Sequence, residues 1–305
     1  MLNRRGMLGA VTGVVAGAAL SGVKMGSNAH AAEKKAVTLR MSSQFGPMPG
    51  KDDQEKVANA VKWGFEAMEL PGGIVGKVDY YKDLIKDTPL VYSAVCFGSM
   101  NGALVSEDES KRGPAFDQLK SVLEAAGELG STGVIYVPAF NGQTKLTNQE
   151  IRAILLDKLP ELGEFAVQCN TRILFEPLNR GEAFFLRQVP DGAAIARDCN
   201  SEGVCLMGDM YHMGREETSA CGAFISAGDK LHHVHFASYP KRKMPGTDEG
   251  DFDWYRNGFC GLKLIGYQDF CSFECGCDGE EDFVKSVAFL RDTWEKADPI
   301  AEFGL

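Results

Sequence analysis

The sequence predicts a single (β/α)8 barrel behind an N-terminal export segment, and three observations predict it. Eight short apolar segments alternate with helix-like segments. No linker, low-complexity tract or internal repeat divides the 305-residue chain. Acidic residues and an imidazole recur near the ends of the last four apolar segments, where a barrel of this kind builds its site.

The first 31 residues stand apart. Arg4-Arg5 precede eighteen uncharged residues from Gly6 to Val23, nine of them Gly or Ala, and Ala29-His30-Ala31 leads into Ala32. This is the pattern of an export signal with an A-x-A cleavage site, and the paired arginines point to the twin-arginine route and a periplasmic destination. The run is short and weakly apolar for a bilayer span, so stable membrane insertion is not expected after its removal. An uncleaved anchor is the alternative. The mature domain is then 32–305.

The strands fall at 36–43, 65–71, 90–97, 133–140, 171–178, 204–211, 231–238 and 269–276. Each is apolar and rich in β-branched or aromatic residues, as a strand buried on both faces must be. Helical patterns lie between them, at 52–63, 80–87, 116–130, 148–168, 191–199 and 221–228, with a weak one at 253–261 and a last one at 281–297. In the third, Phe116, Leu119, Val122 and Leu123 share one face at helical spacing. A doubly wound open sheet has the same alternation, but "SSQFGPMPG" after the first strand is not its glycine-rich phosphate turn.

The whole chain carries a formal charge of −10; removing residues 1–31 takes away Arg4, Arg5 and Lys24 and no acid, which gives −13. Such an acidic chain lacks the basic surface that nucleic-acid binding rests on.

Strand parity locates the polar residues. Glu176 shares a face with Leu174, Asp209 with Met207 and Cys205, His235 with His233, and Glu274 with Ser272. Four consecutive strands thus aim Glu, Asp, His and Glu inward near their C-terminal ends. Singly, each acid could be the first residue of a loop. Together they would repel one another unless a cation lay between them, and three carboxylates with one nitrogen suit Mn²⁺, Mg²⁺, Co²⁺ or Zn²⁺.

The segments "EPLNRGE" (176–182), "DMYH" (209–212), "HVHFASYPKRKMPG" (233–246) and "FECG" (273–276) resemble, in order, those of the xylose isomerase-like barrel superfamily. Within it they are most similar to the ketose 3-epimerases and hydroxypyruvate isomerase. The resemblance implies one divalent metal ion held by Glu176, Asp209, His235 and Glu274, with Glu176 and Glu274 as the paired acid and base. It also implies substrate contacts from Glu182, His212 and Arg242. Between His235 and the R-K-x-P-G run this chain is one residue longer than the ketose epimerase form, so Lys241 and Arg242 compete for one position.

The activity this implies is isomerisation or epimerisation of a ketose, hydroxy-ketone or related sugar by proton transfer through an enediolate. Two carboxylates on opposite sides of a planar intermediate are what inversion needs. His212, just past a strand end, reads as a substrate partner rather than a plain loop histidine. His233, one layer deeper, reads as a satisfied interior histidine, and His232 as structural. The stretch 239–254 reads as a polar lid over the barrel mouth, its Lys241, Arg242 and Lys243 favouring an anionic or oxygen-rich substrate.

Nine cysteines do not assemble into a metal cluster by parity, because Cys271 and Cys275 face the helices and Cys packs as a small apolar residue. Three other activities compete. An endonuclease of the same barrel would need more histidines than the four left after the signal. A lyase acting on 3-keto-glycosides would use the same enolisation, and a metal-dependent sugar-binding protein would need no second glutamate. The sugar, the metal and whether the chain forms a homo-oligomer stay open at this level.

Overall fold

The computed structural model describes residues 36–239 and 241–304, so the export segment read at 1–31 lies outside the described residues. The eight strands are β1 (Arg40–Gln44), β2 (Ala67–Pro71), β3 (Val91–Gly98), β4 (Gly133–Tyr136), β5 (Ile173–Phe175), β6 (Val204–Asp209), β7 (Leu231–Phe236) and β8 (Phe270–Phe273). They pair in chain order, all parallel, and β8 closes on β1. Each lies within or beside the segment read from sequence.

The helices are α1 (Asp53–Lys62), α2 (Val78–Ile85), α3 (Arg112–Glu128), α4 (Asn148–Gln168), α5 (Val189–Asp198), α6 (Met210–Glu216), α7 (Ala220–Ala227), α8 (Asp251–Ile265), α9 (Glu280–Lys296) and α10 (Pro299–Phe303). Local chemistry sets their starts. Asp52 caps α1 by accepting from the Glu55 amide, and Thr147 with Glu150 forms a reciprocal capping box on α4. None of the helices described is long and apolar enough to cross a membrane.

Two packed layers follow from strand parity. One face of the strands meets the helices in a continuous apolar shell that contains Ile173, Phe175, Cys271 and Phe273. The other face fills the barrel with Ala94, Ile135, Leu174, Cys205 and Met207. Gly133 is glycine because a Cβ there would come within 2.5 Å of Leu174 Cγ. Many of the other inward positions are polar, among them Ser42, Ser93, Glu69, His233, His235 and Ser272, all buried.

The helix read weakly at 253–261 is present and longer than read, the fifteen-residue α8, and one expectation needs correction. The lid read at 239–254 is not a long loose loop: α8 takes its last four residues, and the rest is tied down. The Ser238 amide donates to the Lys243 carbonyl at 2.8 Å and the Arg242 amide to the Ser238 carbonyl at 2.9 Å. Ser238 Oγ donates to Asp248 at 2.6 Å, the Gly246 amide donates to Asp251, and Met244 is buried. Polar composition hid this because backbone amides and short side chains hold the segment, together with the buried side chain of Met244.

Candidate active site

The C-terminal ends of β5 to β8 bring four side chains together. One ligand atom each from Glu176, Asp209, His235 and Glu274 lies within 4.8 Å of the others, and the first three residues are buried. Glu176 extends β5, its amide donating to the Tyr136 carbonyl, and Glu274 extends β8, its amide donating to the Phe236 carbonyl. Each strand stops where its next side chain is a carboxylate facing the lumen.

Asp209 ends β6 and caps α6. Its Oδ1 accepts from the amides of Tyr211 (2.7 Å) and His212 (3.4 Å), while its Oδ2 turns into the site with no hydrogen-bond partner. That cap places His212 in the first turn of α6. There His212 Nδ1 lies 3.2 Å from the Asn179 amide and 2.7 Å from the Asn179 side-chain nitrogen. Both are donors, so Nδ1 accepts and the ring proton sits on Nε2. Nε2 is buried, unpartnered and 3.6 Å from Asp209 Oδ2.

His235 Nδ1 faces the same centre, 3.1 Å from Glu274 Oε2, 3.8 Å from Glu176 Oε1 and 3.9 Å from Asp209 Oδ2. Its Nε2 contacts both oxygens of Glu69 at 3.0 Å. Glu69 also meets His233 Nε2 at 2.9 Å, so His233 is an interior histidine, as its depth implied, but only half satisfied: its Nδ1 is buried with no hydrogen-bond partner among the described residues. His232 pairs with Asp269 away from the lumen.

The competition between Lys241 and Arg242 is settled by backbone geometry. Lys241 is exposed and pairs with Asp248, and Lys243 pairs with Asp278, so the basic run does not enter the site as a cluster. Arg242 does. It sits at φ +54°, a strained region for a non-glycine residue, held by its own amide and by the Gly276 amide, which donates to its carbonyl. The guanidinium lies 2.5 Å from Glu274 Oε2, 3.7 Å from Asp209 Oδ2 and 3.7 Å from Glu182 Oε1, over the Tyr211 ring. Glu182 completes the rim, accepting from Asn179 at 3.1 Å. Its loop is anchored by Arg180, whose backbone amide and side chain both donate to Glu216.

The electrostatics are those of crowded acids. Burial, then the Glu274 carboxylate, pushes Asp209 up to about 8. Burial raises Glu176 as well. Against burial, the charge of His235 and then that of Arg242 hold Glu274 well below the carboxylate range. Burial and then Arg242 press His212 down to about 3, so it is neutral.

These donors fit a divalent cation. Glu176 Oε1, Asp209 Oδ2 and His235 Nδ1 are buried atoms with no hydrogen-bond partner among the described residues, and they point at one another. An oxygen-rich set with one imidazole suits Mn²⁺, Mg²⁺, Co²⁺ or Zn²⁺.

Sequence reasoning missed two residues. Glu69 lay unremarked in the apolar run "FEAMELP", although its parity with Ala67 marks it as inward. Cys96 on β3 places its Sγ 3.9 Å from Glu274 Oε1, and burial raises its thiol pKa well above the usual value. All nine cysteines are free, and none joins a candidate metal group among the described residues.

A closed eight-stranded barrel with its polar cluster at the C-terminal strand ends is the arrangement on which barrel enzymes build their sites. The chain belongs to the xylose isomerase-like TIM barrel family, whose sequence model matches residues 57–293. It is similar to the 3-dehydro-D-guloside 4-epimerase of Escherichia coli strain K12, with 28% identity over 250 residues, covering 78% of this chain and 93% of that enzyme. It is also similar to the L-ribulose 3-epimerase of Methylomonas sp. strain DH-1, at 26% over 259 residues, covering 81% and 87%. The crystal structure of a 3-keto-D-glucoside 4-epimerase from E. coli superposes with a TM-score of 0.74 at 26% identity, covering 84% of this chain and all of that one. These relatives are all sugar epimerases.

Proposed function

We propose that this protein is a divalent-metal-dependent epimerase of keto-sugars, inverting the carbon next to a ketone, with 3-keto-glycosides as its substrate class. The observation that carries the reading is the pair Glu176 and Glu274. They come from β5 and β8, three strands apart around a barrel of eight, and converge beside one histidine. The 3-dehydro-guloside and 3-keto-glucoside in the 4-epimerase names above differ only at C4, the two sides of one reaction, and they favour a keto-glycoside over a free ketose.

A cation held by Glu176, Asp209, His235 and Glu274 would supply Lewis-acid stabilisation of the enediolate that forms when the carbon beside the ketone loses its proton. One glutamate removes that proton, and the other delivers one to the opposite face; on reversal their roles exchange. His212, its Nε2–H aimed into the site, donates to a substrate oxygen. Arg242 donates to oxygens that gain charge, and Glu182 accepts from a hydroxyl at the rim. We also place the enzyme outside the cytoplasm, on the strength of Arg4-Arg5 and the A-x-A motif.

Incubation in D₂O with and without Mn²⁺, followed by NMR of a panel of keto-glycosides and ketoses, tests the reading. Deuterium at the carbon beside the ketone, with the epimer as product and dependence on Mn²⁺, is the expected result. A released aglycone would mean elimination instead, and no exchange with any sugar would leave only binding.

A further inference from the structure

We infer that Glu69 is a positioning residue for the metal centre, acting through His235; this rests on the metal-dependent reading above. Glu69 lies on β2, and His235 on β7, with β8 and β1 between them in the closed barrel. Its carboxylate therefore reaches across the lumen to β7 as well as to Gln44 on the neighbouring β1. It is 1% exposed. Its Oε1 accepts from Gln44 at 2.9 Å and from His235 Nε2 at 3.0 Å, and its Oε2 lies 2.9 Å from His233 Nε2 and 3.0 Å from His235 Nε2. Three donors from β1 and β7 thus fix one carboxylate.

Imidazole chemistry gives this arrangement a consequence. A neutral histidine has one N–H and one lone pair. An acceptor-only carboxylate at Nε2 keeps the N–H there and leaves the Nδ1 lone pair facing Glu176, Asp209 and Glu274. Without Glu69, the ring can place a proton on Nδ1 and donate to Glu274, 3.1 Å away, or turn about its Cβ–Cγ bond. Either change removes the nitrogen from the centre. A carboxylate oriented behind a ligating histidine fixes both tautomer and ring plane. His233 contributes from the side: its ring meets that of His235 edge-on, at 5.0 Å and 85°, and its Nε2 holds the second carboxylate oxygen.

Stability alone gives no reason for the group. A fully buried carboxylate loses its hydration, and apolar residues of similar volume often serve a core as well or better. The inner layer below is apolar, formed by Ala94, Ile135, Leu174, Cys205 and Met207.

The test compares wild type with Glu69→Gln and Glu69→Asp. Gln keeps the volume but has one acceptor oxygen, and its amide nitrogen would face one of the two imidazoles. Asp keeps the charge but withdraws it by one methylene. Mn²⁺ affinity is read by EPR of the free ion, and ligand geometry by the visible spectrum of the Co²⁺-loaded protein. Loss of such a partner weakens metal affinity about 10- to 100-fold. The expected result is that loss in Glu69→Gln, a smaller one in Glu69→Asp, and shifted Co²⁺ bands, with the circular dichroism of the metal-free protein unchanged. A folded variant of either kind that binds Mn²⁺ within twofold of wild type overturns the role of Glu69 alone. A wild-type protein that takes up no Mn²⁺ or Co²⁺ overturns the metal-dependent reading and this inference with it.

Discussion

Replacing Arg242 separates the chemistry of the site from its metal binding. Asn is the variant of choice, because Asn tolerates positive φ and the change leaves the φ +54° turn unstrained. The side chain lost makes a 2.5 Å charge-assisted contact with Glu274. Such a bond is worth about 1.5–3 kcal/mol. At about 1.36 kcal/mol per factor of ten, a contact of that size used in the transition state gives a fall of about 10- to 150-fold in kcat/KM. Metal affinity should move the other way or not at all, since the guanidinium shares Glu274 and Asp209 with any cation bound there. The assay is epimer formation by NMR at saturating Mn²⁺, alongside Mn²⁺ titration. Lys241→Gln is the control: exposed and paired with Asp248, Lys241 should be replaceable without loss. A kcat/KM for Arg242→Asn within threefold of wild type, or a parallel loss of Mn²⁺ affinity, would refute the assignment.

Three further perturbations read other parts of the site. Glu176→Gln and Glu274→Gln each remove one proton-transfer group, so kcat should fall by at least about 10²- to 10⁴-fold with circular dichroism unchanged; near-normal turnover in both contradicts the paired-glutamate mechanism. Adding Mn²⁺ at about 100 times its Kd to chelator-treated protein should stabilise it by about 2.7 kcal/mol, a rise of about 5 °C in Tm by differential scanning fluorimetry. An unchanged Tm would mean that no ion binds the folded state selectively. Glu216→Gln should loosen the loop that carries Asn179 and Glu182. Arg180, donating to Glu216, holds its carboxyl below the usual 4.5. A lowered carboxylate stabilises the fold above its unfolded pKa and loses that contribution as pH falls through the folded one. The Tm gap between wild type and variant should therefore be full at pH 6 and shrink below about 4.5; a gap independent of pH would remove the ion pair as its cause.

Much of this was legible in the sequence because a parallel barrel writes its strands plainly. Buried on both faces, they appear as short apolar runs, and the period of two then tells which residues face the lumen. Glu176, Asp209, His235 and Glu274 stand out because each interrupts such a run at the same end. Glu69 interrupts one too, but its partners His233 and His235 lie 164 and 166 positions on, and no local pattern joins them. The helix α8 looked weak because Gly258 and Gly261 lower its propensity; at Gly261 a Cβ would come within 2.8 Å of the Cys221 backbone, so close packing on α7 demands the glycine. The short α6 was hidden because its first residues continue the apolar run of β6, and only the Asp209 cap marks the change. Which of Lys241 and Arg242 enters the site depends on a left-handed turn, which residue types alone do not specify.

The site shares one design across unrelated side chains. Asp209 commits Oδ1 to the start of α6 and leaves Oδ2 free. His212 commits Nδ1 to Asn179 and leaves Nε2 free, and His235 commits Nε2 to Glu69 and leaves Nδ1 free. In each, the bonded atom fixes the rotamer and the free atom points into the centre. A buried polar atom without a partner costs about 1–3 kcal/mol. With Glu176 Oε1, four such atoms are gathered here. A fold does not tolerate that concentration for packing's sake, because apolar residues of similar size would fill the space at lower cost. The arrangement makes physical sense if ligands satisfy those atoms during function: a cation for Glu176, Asp209 and His235, and a substrate oxygen for His212. A purely structural cluster would have paired these atoms with donors of its own, whereas those of Glu176, Asp209 and His235 converge within ligand distance of one another and His212 Nε2 lies beside Asp209.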